Sequence, residues 1–112
     1  MSTGRGSGLL FVMIDIEPEF EDEFNRWYEE EHLPERLACD GFLNGRRFQA
    51  LEGGPKYLAT YELENPEVLD GPAYQRLLPP TEWTRKISAH FTDHLRNVYR
   101  EITPAPMKKP DA

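Results

Sequence analysis

Apolar positions along the chain switch between a two-residue and a three-to-four-residue period, and each switch marks an element boundary. Leu9 to Ile16 is an apolar run of strand length, closed by Glu17-Pro18. From Pro18 onward Phe20, Phe24, Trp27, Tyr28 and Glu31 recur at helical steps, which places the aromatics on one stripe. Proline at the helix start and acid in its first turn fit the fixed φ and the helix dipole. Pro34 disfavours helical geometry at Leu33, so the main helix is expected to end near His32 or Leu33, with a further turn reaching Leu37. His32 would then sit at a helix C-terminus, where partial negative charge favours imidazolium.

Asp40-Gly41 signals a turn before a second strand over Phe42–Leu51, with a bulge or close approach at Gly45. Glu52-Gly-Gly-Pro55 reverses the chain into a third strand, Lys56–Leu63, giving an antiparallel hairpin. Asn65-Pro66 caps a weaker helical region broken at Gly71-Pro72 and Pro79-Pro80, so short pieces are expected rather than one rod. His90 to Ile102 alternates well enough for a long fourth strand. The order β-α-β-β-α-β predicts an α+β fold, the ferredoxin-like split βαβ, with a four-stranded antiparallel sheet and both helices on one face. Residues 9–102 form the single domain, 1–8 a flexible lead and 103–112 a proline-broken tail.

The sheet's second face has nothing in this chain to cover it. Leu10, Val12, Ile14 and Ile16 share one face of the first strand; Leu9, Phe11, Met13 and Asp15 share the other. Both are largely apolar, so a homodimer that buries the bare face is the expected assembly.

Composition narrows the partners. A net charge of -7 argues against nucleic acid, whose binding draws on clustered Lys and Arg. Cys39 is the only cysteine, which excludes an intrachain disulfide or a thiol pair and fits a reducing cytoplasm. No stretch is long and apolar enough for a signal peptide or membrane span. No phosphate loop, nucleophile elbow or zinc spacing is present, so neither metal nor cofactor is expected. His90 and His94 lie four apart, which in a strand separates them by about 13 Å, too far for a shared metal.

The candidate chemistry centres on His32, because an imidazole exchanges protons near neutral pH. Its alternative role is a capping or salt-bridging histidine near Glu31 and Glu35. Asp15, a carboxylate near the end of an apolar strand, is costly to bury unless paired, and is the expected partner that orients or shares the proton. Arg46 and Arg47 point to opposite faces of one strand; Arg46, in phase with Phe48, is the expected stabiliser of an anionic oxygen. Tyr61 is a candidate donor to a substrate carbonyl. Phe11, Met13, Trp27, Tyr28, Tyr74, Trp83, Phe91 and His94 are candidate lining for an apolar pocket, although aromatics at helical spacing more often serve a core. His94 is also the strand histidine that would suit a heme iron.

The segment Phe24-Asn-Arg-Trp-Tyr-Glu-Glu-Glu-His-Leu-Pro-Glu-Arg36, followed by Gly41-Phe42, Arg46-Arg47-Phe48 and Pro55 to Leu63, resembles the dimeric α+β barrel proteins, and in particular their EthD-like members. The resemblance extends over roughly residues 9–102. It implies a homodimer with a mostly apolar cavity in each subunit for a small apolar or aromatic molecule. His32 to Pro34 matches the helix-end His-x-Pro of that family. The superfamily hosts several chemistries, so the fold does not choose among them. The expected activity is cofactor-independent proton transfer of the lyase, isomerase or cyclase type on a carbonyl- or phenol-bearing molecule. The alternatives are a cofactor-free or heme-linked monooxygenase and a non-catalytic binding protein.

Overall fold

The structure is a computed structural model, described here for residues 5–103. Its strands are β1 (Gly8–Ile16), β2 (Phe42–Gln49), β3 (Tyr57–Leu63) and β4 (Phe91–Arg100). They form one antiparallel sheet in the order β2-β3-β1-β4, the ferredoxin-like arrangement that the alternation predicts. The helical layer comprises α1 (Glu21–Trp27), α2 (Leu33–Leu37), α3 (Pro72–Gln75) and α4 (Glu82–Ser88), with 3-10 turns at Pro18–Phe20 and Pro66–Asp70. Most of the expected tail, and residues 1–4 of the expected lead, lie outside the described residues.

The core lies between helices and sheet. Leu10 and Ile14 from β1, Ala59, Tyr61 and Leu63 from β3, and Phe42 from β2 pack against Phe24, Trp27, Tyr28, Tyr74 and Ile87. Burying aromatic side chains of this size supplies the main stabilisation. Phe42 and Asn44 bracket a register shift, and beyond it Gly45 faces Tyr61 across the ladder. A Cβ at Gly45 would lie 2.8 Å from Leu33 Cδ1 and 3.2 Å from Tyr61 Cδ1, so glycine lets α2 approach the sheet. Gly41 adopts φ +93 at the turn into β2, a conformation that favours glycine.

Helix termination differs from expectation. The helix does not stop at Pro34: α1 passes through a π-helical turn, Tyr28–His32, directly into α2. The N–H of Leu33 reaches back to the carbonyl of Tyr28, five residues earlier. A regular α-turn would press the Pro34 ring against the carbonyl of Glu30; the widened turn gives the ring room. His32 is therefore inside a continuous helix rather than at its C-terminus, and the dipole argument for imidazolium is withdrawn.

Strand boundaries also shift. β1 begins at Gly8 rather than Leu9, β2 ends at Gln49 rather than Leu51, β3 begins at Tyr57 rather than Lys56, and β4 spans Phe91–Arg100 rather than His90–Ile102. Asn65 makes no side-chain cap; the working cap is Thr81, whose hydroxyl accepts from the Thr84 N–H at the start of α4.

The other sheet face is bare. Leu9, Phe11 and Met13 of β1 pair across the ladders with Glu62, Thr60 and Leu58 of β3 and with Tyr99, Asn97 and Leu95 of β4. Arg46 and Phe48 of β2 continue this face beside Thr60 and Leu58. Phe11 and Tyr99 meet edge to face at 5.9 Å, and Phe48, Leu95 and Tyr99 are exposed. None of the described helices covers them.

Candidate functional site

The π-turn and the packing of α1 leave His32 half-buried against the helical layer. Its ring stacks on the Trp27 indole, with centroids 4.3 Å apart, and meets Tyr28 edge-on at 5.0 Å. Its Nδ1 is sealed from the surface and has no hydrogen-bond partner, the sole buried side-chain polar atom in that position among the described residues. Such a group is costly to leave unpaired. Burial, then the charges of Arg36 and Arg47, push the imidazole pKa down to about 3, so His32 is neutral at physiological pH.

His32 lines a cavity of about 170 Å³ together with Glu35, Arg36, Arg76, Thr81, Thr84 and the loop Leu77–Pro80. A hydrogen-bonded cluster holds this loop down. The Thr81 hydroxyl donates to Glu31 Oε2 at 2.5 Å, the Thr84 hydroxyl to the same oxygen at 3.2 Å, and Trp27 Nε1 to the Thr84 oxygen at 3.1 Å. Glu31 thus ties the π-turn to the N-terminus of α4. Beside it, burial and the Glu31 charge raise the pKa of Glu35 against the opposing pull of Arg36. The cavity wall therefore carries a neutral imidazole and a carboxyl group of raised proton affinity.

The other sequence-derived candidates are dispersed. Asp15, near the end of β1, accepts from the Lys56 backbone N–H at 2.6 Å and is not part of the cavity wall. Arg46 lies on the bare face, its guanidinium 4.9 Å from the Phe48 ring centroid. Tyr61 lies on the helix side, 1% exposed, its hydroxyl 3.4 Å from that of Tyr28; burial raises the pKa of both phenols. Arg46 and Tyr61 are thus on opposite sides of the sheet. Phe11 and Met13 also belong to the bare face.

Trp27, Tyr28 and Tyr74 are core. Trp83 is half-buried and donates to Glu23 at 3.1 Å; Phe91 packs on Phe24 and Trp27. His94 is exposed on β4, 5.7 Å from the Phe91 ring. His90 stacks on Phe20 at 3.5 Å and lies 3.4 Å from a Glu17 oxygen.

The arginine that faces the helices is Arg47. Its guanidinium lies over Tyr28 at 4.4 Å, donates to Asn25 Oδ1 at 2.7 Å and contributes to holding His32 neutral. Strand alternation separates Arg46 from Arg47, but only the packing says which of them meets the helical layer. Arg36, Arg76, Thr81 and Thr84 carry no local sequence signal of a shared site. They meet through the fold of the loop over His32.

The comparisons with known proteins bear on fold and family. No curated protein matches the chain. Among solved structures, it is similar to a dimeric ferredoxin-like protein from an uncultured marine organism, at 15% identity over 96% of this chain and 97% of that one, with a TM-score of 0.71. It is also similar to an antibiotic biosynthesis monooxygenase, at 18% identity, covering 86% and 99% of the two chains, with a TM-score of 0.63. A third is the heme-degrader MhuD from Mycobacterium tuberculosis, solved with two hemes in its active site, at 13% identity, covering 88% and 98%, with a TM-score of 0.62. At these identities the likeness is one of fold. A family model described as "Domain of unknown function (DUF4286)" matches residues 8–103, and the chain belongs to that family.

Proposed function

We propose that the chain is a homodimeric protein that binds a small organic molecule in the cavity beside the Leu77–Pro80 loop and moves a proton through His32, in a reaction of the lyase, isomerase or cyclase type. The observation that carries this reading is a neutral imidazole in the wall of a cavity, with its Nδ1 sealed behind that wall and unpartnered. A neutral imidazole at physiological pH can accept a proton or donate its N–H to a carbonyl oxygen. In the proposed step His32 takes a proton from an acidic C–H or O–H of the substrate. The electron pair remains on the substrate as an enolate or phenolate, whose oxygen Arg36 stabilises, and the His32 imidazolium returns the proton to the product, which restores the neutral ring. Burial is the first cause of the low proton affinity of His32 in the free protein and the charges of Arg36 and Arg47 the second; an anionic ligand offsets the arginine contribution.

The EthD-like resemblance of the segment from Phe24 to Arg36 supports a small-molecule site, and the dimeric fold neighbour supports burial of the bare sheet face by a second copy. The neighbour named as an antibiotic biosynthesis monooxygenase favours a second reading, in which the deprotonated substrate is attacked by dioxygen. Oxygen uptake would select that reading. A porphyrin, the group bound by the M. tuberculosis neighbour, is too large for the His32 cavity, whose volume of about 170 Å³ admits only a compact molecule.

The test is solvent-deuterium exchange. The wild-type protein and His32→Gln are incubated in D₂O with a panel of small ketones, lactones and phenols, and label is followed by NMR. The reading predicts protein-dependent exchange, slowed roughly a hundredfold or more in the variant. Equal exchange in both proteins would remove His32 from the chemistry.

A further inference from the structure

The wall of the His32 cavity differs in charge from the rest of the protein. The chain carries a net charge of -7, yet the ionisable groups of this wall are Arg36, Arg76, Glu35 and the neutral His32, which leaves an excess of one positive charge even with Glu35 ionised. Arg76 forms no ion pair with any described residue. The carboxylate nearest to Arg36 is its chain neighbour Glu35, at a single contact of 3.4 Å, while its side chain is only 12% exposed. Glu31, the other acid close by, is engaged by the hydroxyls of Thr81 and Thr84. Two guanidinium groups therefore face one cavity with a single weakly engaged counter-charge between them.

The rest of the wall is apolar. Leu77, Leu78, Pro79 and Pro80 form one side, and the Thr81 and Thr84 hydroxyls are already committed to Glu31 and to each other. A volume of about 170 Å³ corresponds to roughly six waters, the size of a compact organic acid. We infer that the cavity selects a small organic carboxylate, its head group held by Arg36 and Arg76 and its apolar body against Leu77 to Pro80. This rests on the reading of the same cavity as the ligand site and supplies its substrate class. An organic anion is preferred over phosphate because a fully hydrated inorganic ion gains nothing from the leucine and proline side. Placed there, the ligand's negative charge would also oppose the Arg36 charge that adds to burial in keeping His32 unprotonated.

The inference is tested by titrating the full chain with benzoate, benzamide and inorganic phosphate, following backbone amides by NMR. Benzoate should shift the resonances of Arg76, Thr81 and Thr84, and bind at least tenfold more tightly than benzamide or phosphate. Arg76→Gln, at an exposed position, should keep the fold and weaken benzoate about tenfold or more. Failure of benzoate to bind, equal binding of benzamide or phosphate, or indifference to Arg76→Gln overturns it. His32→Gln separates the two readings. Retained benzoate binding in that variant supports the carboxylate site whatever happens to isotope exchange, and exchange of a neutral ketone without benzoate binding would leave only the His32 chemistry standing.

Discussion

Acidification provides a quantitative handle on His32. An unfolded imidazole titrates near pH 6.5, whereas burial and the adjacent arginines hold the folded one down to about 3. Between those values the unfolded chain binds a proton that the folded chain refuses, so stability is full above pH 6.5 and falls as the pH drops towards 3. From pH 7 to pH 5 this linkage amounts to about 2 kcal/mol, a ceiling reached only if the loop over His32 stays shut. The contribution of His32 is isolated from that of the other ionisable groups by comparison with His32→Gln, which lacks the imidazole. Urea unfolding followed by circular dichroism, at one protein concentration because a dimer's stability depends on it, gives both stabilities. The stability difference between wild type and variant should move against the wild type by about 2 kcal/mol over that range, roughly 1 M in midpoint for a domain of this size. Parallel pH profiles for the two proteins would refute the buried, neutral imidazole.

Three further perturbations probe the frame around the site. Gly45→Ala introduces a Cβ 2.8 Å from Leu33 and should destabilise by about 1–3 kcal/mol in the same unfolding assay. Thr81→Ala removes the cap of α4 and the hydroxyl that holds Glu31; it should cost about 1–2 kcal/mol and accelerate amide exchange in the Leu77–Thr84 loop. Light scattering should give the wild type a mass twice 13.0 kDa, and Phe11→Asp on the bare face should shift it towards the monomer; a monomeric wild type would remove the dimer from the account.

Much of the architecture was legible because alternation is a local signal. The runs Leu9–Ile16 and Tyr57–Leu63 declare strands, and the Gly-Gly-Pro reversal joins β2 to β3. Gly45 also declared its close approach, since a glycine inside a strand pattern has few other uses. Pro34 misled because a local rule for proline ends the helix, whereas a π-turn stabilised by the packing of Trp27 and Tyr28 carries it through. That one turn reverses the expected charge state of His32. Both faces of β1 are apolar, so parity alone did not say whether Arg46 or Arg47 meets the helices. Glu35 and Arg36 lie within about one helical turn of His32, whereas Arg76, Thr81 and Thr84 reach the same cavity through tertiary contacts that no short window contains.

The central claim is that His32 is a neutral, half-buried imidazole in the wall of a ligand cavity, packed on Trp27. Nitrogen-15 NMR of its ring, titrated from pH 8 to pH 4, reads this directly. The account predicts one protonated and one unprotonated nitrogen persisting through pH 5. A single imidazolium transition with a midpoint near 6.5 would contradict it.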